Sequence, residues 1–492
     1  MRSRFHEKKR GYRLIIAGFL VNLFLALISL FTVALVPHQV PINLAAHIII
    51  PLLLAYLLTR DLTDSLTLIT INDIFLVGAS SFFRTIHVPM NRAILLMVTM
   101  TIFVLYHRQT VTRSAVEKPS MISYTTAGIF FYAFLLPAWL VFYSVMVKAI
   151  PLGQAFGDLQ FIFPVLLYFP ITRLISRHCD ILLGWIIGVS VSLSLMGLIL
   201  SLGPIEVTPV MWANLAGVSE IQTEKVGVGI GIFRGALQNH VVSFIGFFVG
   251  LFIMIDRKWK RSARLMGSAL CLLSFSVFVL KFFRGPLLAI LLTLMLLGLM
   301  MILKRKLKLQ ALRLIIITLF LAIIALQSIY LIVPDYFESS ISNPDLEEVV
   351  GQDRIDQNAE MMKAWAEAPI LGQGAGATLK SGYAKEETGQ AFELSYQMVL
   401  FRLGIVGFII MIAPLLWLVI EFNRNKDFYA TNFSQIEMKV VLGLLFSAVT
   451  ICIAGASNPY VKTGFMVLIF TIFLALRKYV TNSVLSGRNY LR

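Results

Sequence analysis

Arg354, Trp365 and the run Pro369-Ile370-Leu371-Gly372-Gln373-Gly374-Ala375-Gly376 set a cation and an aromatic ring ahead of a glycine-rich turn. Glycines at 372, 374 and 376 allow close backbone approach and leave N–H groups free to meet an anion. The plainer alternative is a simple surface loop. No strand-like segment precedes the run, so neither a Rossmann nor a P-loop phosphate cradle fits it.

Further cations stand at the ends of apolar runs. Arg234-Gly235 precedes the run starting near Val241, Lys281, Arg284 and Gly285 separate two long runs, and Arg402 lies inside the run beginning at 395. Arginine offers a fixed fork of donors that matches phosphate or pyrophosphate. The alternatives are interfacial snorkelling for Arg234 and Arg284 and, for Arg402, a pair with an acidic neighbour. Glu393 sits just ahead of Ser395-Tyr396, where a long polar stretch meets an apolar run. A carboxylate there is either a partly desolvated base or an ordinary interfacial group.

Other chemistries have no matching pattern. None of the seven histidines falls within 334–394, and none has metal-ligand spacing. Cys179, Cys271 and Cys452 lie far apart in apolar surroundings and read as small buried residues. No nucleophile elbow is present. Neither a metal nor a cofactor is expected.

The elements that must position these residues are membrane helices. The chain of 492 residues is 58% hydrophobic and only 14% charged, and its mean hydropathy is +0.83. A soluble domain could not cover so much apolar surface with so few charges. The apolar residues form blocks such as 14–36, 181–202 and 287–303, matching the ~20 residues that cross a hydrocarbon core. The net charge of +16 lies in clusters between blocks: Arg2, Arg4, Lys8, Lys9 and Arg10, then Arg257 to Arg264, then Lys304 to Lys308. That is the positive-inside pattern with attraction to anionic lipid heads, not the aromatic-interleaved patch of a nucleic-acid binder.

The fold expected is all-α: a polytopic bundle forming one transmembrane domain over 1–492, with about 12–14 spans. The spans fall near 13–36, 43–59, 65–83, 92–107, 122–148, 160–176, 181–203, 241–256, 264–282, 286–303, 312–333, 395–421, 438–455 and 462–477. The first is read as an uncleaved span, and both termini are cytoplasmic. Arg108, Arg113, Arg173, Arg177, Arg424, Lys426, Arg477 and Lys478 then fall inside, with 37–42, 149–159 and 456–461 outside. Two outside segments are long, 204–240 and 334–394, and long loops on a rigid scaffold tend to carry function. Within the second, Asp353 to Glu367 reads as an amphipathic helix with Asp353 as N-cap and with Ile355, Met362 and Trp365 near one face. No internal repeat stands out.

The chain resembles the O-antigen ligase and polymerase superfamily of bacterial membrane glycosyltransferases. Phe233-Arg234-Gly235-Ala236-Leu237-Gln238-Asn239 resembles that family's Arg-x-x-Gly-x-x-x-Asn element, and Phe283-Arg284-Gly285 its Ser-Arg-Gly outside turn. Arg354 to Trp365 followed by Pro369 to Gly376 is similar to its loop helix and Pro-x-x-Gly-x-Gly, and Gly404-Ile405-Val406-Gly407 to its Gly-x-x-Gly. Many members, ligases especially, carry His-Asn where this chain has Glu393-Leu394, and Arg402 replaces a commonly acidic position. Those departures favour a polymerase-like member.

The resemblance implies inverting, metal-independent glycosyl transfer at the outer face of a bacterial inner membrane. The donor is an undecaprenyl-pyrophosphate-linked oligosaccharide and the acceptor a second lipid-linked glycan, with membrane lipids around both. On that reading Arg234, Arg284, Arg354 and Arg402 meet the pyrophosphate. Arg354 and Glu393 serve the chemistry, and Trp365, Gly372, Gly374 and Gly376 shape the loop. Such an enzyme admits a chain-length regulator as partner. The alternatives are a ligase acting on a lipid or protein acceptor and, from another class, a transporter or flippase, which would favour broken helices and paired mid-membrane charges.

Overall fold

The computed structural model describes residues 15–21, 23–25, 49–77, 101, 104, 124–202, 242–280, 284–303, 316–317, 320–321, 323, 327, 352–379, 394–424, 435–456 and 464–485. Arg234 and Glu393 lie outside these residues, as do all of 204–240, all of 380–393 and the basic clusters near 2–10 and 304–308. Arg284 and Arg354 are described only as backbone positions.

Every element among the described residues is helical. In chain order they are α1 (Ile50–Thr59), α2 (Leu62–Val77), α3 (Tyr124–Phe130), α4 (Leu136–Phe142) and α5 (Leu152–Leu159), then α6 (Tyr168–Leu202), α7 (Ser243–Ile255), α8 (Arg261–Leu280) and α9 (Arg284–Leu303), and lastly α10 (Gln352–Glu367), α11 (Ser395–Arg424), α12 (Gln435–Ala454) and α13 (Gly464–Leu485). π turns at Phe131–Leu135 and Tyr143–Val147 continue α3 and α4, and a 3-10 stretch at Gln160–Leu167 leads from α5 into α6.

Continuous helix is what leucine- and isoleucine-rich blocks adopt where water is absent, because each backbone N–H and C=O is then satisfied within its own segment. Five stretches are long and apolar enough to cross a membrane: Thr125–Val147, Leu152–Leu195, Arg261–Val279, Ser395–Arg424 and Gln435–Ala454. Their outward faces are apolar, with Leu265, Met266 and Leu272 on α8 and Ile409, Leu416 and Ile420 on α11 exposed. This is the surface a lipid solvent accepts. The protein is an α-helical membrane protein.

α7 is the centre, with Ser243 to Phe252 all buried. Gly250 lets it touch α8 backbone to backbone, since a Cβ there would stand 2.6 Å from the Gly267 carbonyl oxygen. Small residues at helix crossings let dispersion replace the hydrophobic effect in lipid. Hydroxyls supply the polar cross-links. Ser190 donates to the Val242 carbonyl and accepts from the Gly246 amide at 2.9 and 2.8 Å, and Thr450 donates to Thr293 at 2.9 Å.

Three features depart from the expected spans. Helix α6 runs through the expected turn at 177–180, with a non-helical residue, His178 (φ −140°, ψ 42°), dividing it into two segments. Helix α11 is broken at Gly404 (φ 64°, ψ −166°), so the expected single span 395–421 is a short buried segment followed by a longer one. The expected outside turn 149–159 holds α5.

Several polar contacts join positions that the charge pattern puts on the same side. Asp61 with Arg173, Asp256 with Lys439 at 2.8 Å and Glu421 with Arg477 at 2.7 Å each join positions that the charge pattern puts inside. The Asp158–Arg402 pair, and the hydrogen bond from Lys148 to Gln373, join positions it puts outside.

Candidate functional site

The turn that follows α10 is built against α4 with its π turn, α5 and the break in α11. Gly372 and Gly404 both have positive φ, at 71° and 64°, a region that residues with a Cβ rarely occupy. They also abut. A Cβ on Gly372 would lie 2.5 Å from the Arg402 carbonyl carbon and 2.6 Å from the Gly404 nitrogen, and a Cβ on Gly404 2.3 Å from the Ile370 carbonyl oxygen.

Breaking α11 at Gly404 frees backbone groups on both sides, and the turn takes them up. The Ile405 and Val406 amides donate to the Pro369 and Ile370 carbonyls at 2.9 and 3.1 Å. The Phe401 and Arg402 carbonyls accept from the Gln373 and Gly374 amides at 2.7 and 2.9 Å. Four hydrogen bonds thus sew the two segments of α11 to residues 369–374, as buried backbone polar groups require.

The second π turn, with Lys148 just after it, presents the side chains that hold the other edge of the loop. Tyr143 donates its hydroxyl to the Gly372 carbonyl at 3.1 Å, Ser144 Oγ accepts the Ala375 amide at 2.8 Å, and Lys148 Nζ donates to Gln373 Oε1 at 3.2 Å. Gln373 Nε2 returns to the Ala364 carbonyl on α10 at 2.5 Å. Tyr132, in the first π turn, donates to the Ile410 carbonyl beyond the break at 2.5 Å. A π turn adds one residue to the helical repeat and re-aims the next side chains along the helix, and such turns are frequent at functional sites.

Asp158, on α5, closes the arrangement. Its Oδ1 accepts from Arg402 Nη1 at 2.5 Å and its Oδ2 accepts the Gly376 amide at 3.1 Å, while Arg402 Nε donates to the Ala377 carbonyl at 3.0 Å. Arg402 is 5% exposed. Its pairing with an acidic neighbour is the reading the structure bears, and a role at the pyrophosphate does not fit a cation already committed on two sides. The glycine amides are likewise engaged. From Gly372 to Ala377 each N–H donates within the protein, so the turn does not offer the free amides expected for an anion.

α10 spans Gln352–Glu367 against the expected 353–367, but its buried face is not the expected one. Ile355 is exposed and Met362 half-buried, whereas Gln357 and Met361 are buried. Met361 packs with Leu379, Leu394, Met398 and Phe401. Trp365 is half-buried and donates its indole N–H to the Pro369 carbonyl at 3.1 Å, bridging the helix end to the turn. Arg354 lies in the first turn of α10 and Arg284 is the first residue of α9.

Tyr132, Tyr143, Ser144, Lys148 and Asp158 were not among the residues singled out from sequence. One signal pointed to Asp158: it is the acid in the short turn 149–159, on the side where the buried Arg402 needs a partner.

Comparison of the chain with protein-family models and with curated proteins found no match. Fold and site together define the class of protein: an α-helical membrane protein in which a glycine turn is fastened into a broken helix by a buried ion pair.

Proposed function

We propose that this protein is a membrane glycosyltransferase that polymerises undecaprenyl-pyrophosphate-linked oligosaccharide units into a surface polysaccharide. The proposed setting is a bacterial inner membrane crossed about 12–14 times, with both termini cytoplasmic and residues 204–240 and 334–394 outside. The observation that supports it most is the joining of the two glycine motifs on which the family resemblance rests. Pro369 to Gly376 and Gly404 to Gly407 lie far apart in sequence, yet they pair by backbone hydrogen bonds and mutual glycine contact.

In this reading an acceptor hydroxyl attacks the anomeric carbon of the donor glycan from the face opposite the carrier. The new C–O bond forms as the anomeric C–O bond to pyrophosphate breaks, and configuration inverts. The bond pair leaves with the pyrophosphate, whose growing charge Arg234, Arg284 and Arg354 stabilise. Glu393 takes the acceptor proton. Arg402 is not carried into this clamp. It acts through Asp158 and the Ala377 carbonyl to hold the turn that follows the helix bearing Arg354.

The break in α11 is the one observation that leans toward a transporter, since transport sites use discontinuous helices. Its freed backbone groups are filled by the protein's own turn rather than left for an ion or solute, which returns the balance to group transfer. A ligase remains the nearest enzyme alternative.

The test is incubation of the purified protein with a lipid-linked oligosaccharide, followed by sizing of the products. Longer lipid-linked chains are expected, and Arg234→Ala, Arg284→Ala and Arg354→Ala should each abolish them while the protein is still made. Wild-type chain lengths from all three variants would overturn the assignment, and glycan moved intact to another acceptor would favour the ligase.

A further inference from the structure

Asp61 and Asp64 lie three residues apart at the start of α2, and their surroundings treat them differently. Asp61 caps the helix, accepting the Asp64 amide at 3.1 Å, and takes both nearby guanidinium groups, with Arg173 Nη2 at 2.5 Å and Arg177 Nη1 at 2.9 Å. The Asp64 carboxyl is 0% exposed, and neither oxygen has a hydrogen-bond partner. The cations nearest it stop short: Arg173 Nε at 3.5 Å, His178 Nε2 at 3.8 Å and Arg177 Nη1 at 4.0 Å. Arg173 Nε is itself buried without a partner. An orphaned acceptor and an orphaned donor therefore lie 3.5 Å apart and unbonded.

A carboxylate buried without hydrogen bonds is costly, and leaving the adjacent donor unmade adds to the cost. The first cost falls if Asp64 carries a proton, and the second falls only if Arg173 Nε–H closes onto the carboxylate. The other elements packed here direct their groups elsewhere. From α1 the Thr59 backbone meets His178, and on α13, which also packs on α2, Lys478 lies over the Tyr168 ring.

We infer that Asp64 is a reversible protonation site, and that Arg173 divides its guanidinium between Asp61 and Asp64 according to whether the proton is present. With the proton on, Asp64 is neutral and Arg173 stays on Asp61, the arrangement observed. On deprotonation the proton leaves to water by way of His178 Nε2, and Arg173 Nε–H closes onto Asp64 Oδ1. The His178 side chain is 25% exposed, so its ring connects the buried carboxyl to solvent. Burial, and after it the Asp61 charge, push Asp64 up to about 6, against the pull of Arg173 and Arg177. This places the exchange within the range of cellular pH. The switch sits at His178, the residue that divides α6. It does not depend on the glycosyl-transfer reading.

The test is infrared spectroscopy of the full-length protein in detergent, titrated between about pH 5 and pH 8. A protonated-carboxyl carbonyl band is expected at the acid end, lost as pH rises and missing from Asp64→Asn. Asp61→Asn should move the loss to lower pH, because it removes a like charge and frees both guanidinium groups for Asp64. A wild-type spectrum without such a band overturns the proposal, as does a band that Asp64→Asn retains or a midpoint that Asp61→Asn leaves in place. Should Asp64→Asn not fold, the wild-type titration and the Asp61→Asn shift decide it.

Discussion

Gly372 and Gly404 hold each other in place: each has a positive φ, and each occupies the space where the other's neighbours would meet a Cβ. The turn after α10 and the break in α11 are therefore one structure with two sequence origins, and neither conformation is favoured without the other.

Gly404→Ala and Gly372→Ala should both undo that structure. Each puts a methyl group within 2.6 Å of backbone atoms and asks an L-residue to hold a positive φ, at a cost of about 1–3 kcal/mol for the conformation alone. A lowered melting temperature and proteolytic cutting within 352–379 are expected. Gly157→Ala, at a site with nothing within 4 Å, should leave both unchanged. Equal behaviour of the three variants would show that the turn is not held through these glycines.

The Asp158–Arg402 pair predicts a non-additive pair of substitutions. Removing one partner strands a buried charge, and about 3–5 kcal/mol of destabilisation is expected from Arg402→Leu or Asp158→Leu alone. The double variant removes both charges and should recover most of that loss, leaving the Gly376 amide and the Ala377 carbonyl as the deficit. Denaturant unfolding of the four proteins gives the coupling energy. Strictly additive losses would mean that the two residues act independently.

The membrane class was legible in the sequence because apolar blocks and basic turns follow from the solvent on each side, and both are local in the chain. The end of α10 was legible for the same reason, since Pro369 punctuates it, whereas Asp353, expected as its N-cap, lies inside a helix that starts at Gln352. The break at Gly404 was not. Gly-x-x-Gly fits a close-packed helix as well as an interrupted one, and the choice is made by the Pro369–Gly374 backbone. The π turns were hidden too, because residues 124–147 are nearly all apolar and have no face to show a lost residue. Arg402 was noticed for its charge, but its partner lies 244 residues away, beyond any local pattern. The buried face of α10 was misjudged because Gln357, a polar residue, belongs to it.

Asp61 and Asp64 should give stability pH dependences of opposite sign. For Asp61 burial raises the affinity for a proton, but the Asp64 amide and the two guanidinium charges outweigh it and leave the carboxyl below its ordinary value. Its contribution is full above about pH 4 and is lost as pH falls through the lowered value. Asp64, raised to about 6, acts the other way. The folded state holds its proton more tightly than the unfolded state, so stability falls as pH climbs from about 4 through 6 and stays lower above. Thermal unfolding at about pH 7.5 should therefore find Asp64→Asn more stable than wild type and Asp61→Asn less stable; the Asp64 difference should shrink towards about pH 4, and the Asp61 difference should shrink only below it. Asp64→Asn less stable than wild type at the higher pH would contradict the sign.

The orientation on which the proposed chemistry depends can be read by labelling. Glu367 at the end of α10 and Arg261 at the start of α8 are both exposed, and the charge pattern puts them on opposite sides. The native cysteines leave a low background, with Cys179 and Cys271 buried and Cys452 half-buried. In intact cells a membrane-impermeant maleimide should label Glu367→Cys and spare Arg261→Cys, and after lysis both should react. A lipid-linked pyrophosphate acceptor with its sugar in the outer aqueous phase can be reached only by a loop on that side. Labelling of Arg261→Cys in place of Glu367→Cys would therefore put the arginines in the wrong compartment and remove the glycosyl-transfer reading, while leaving the glycine latch and the Asp64 proton site as they stand.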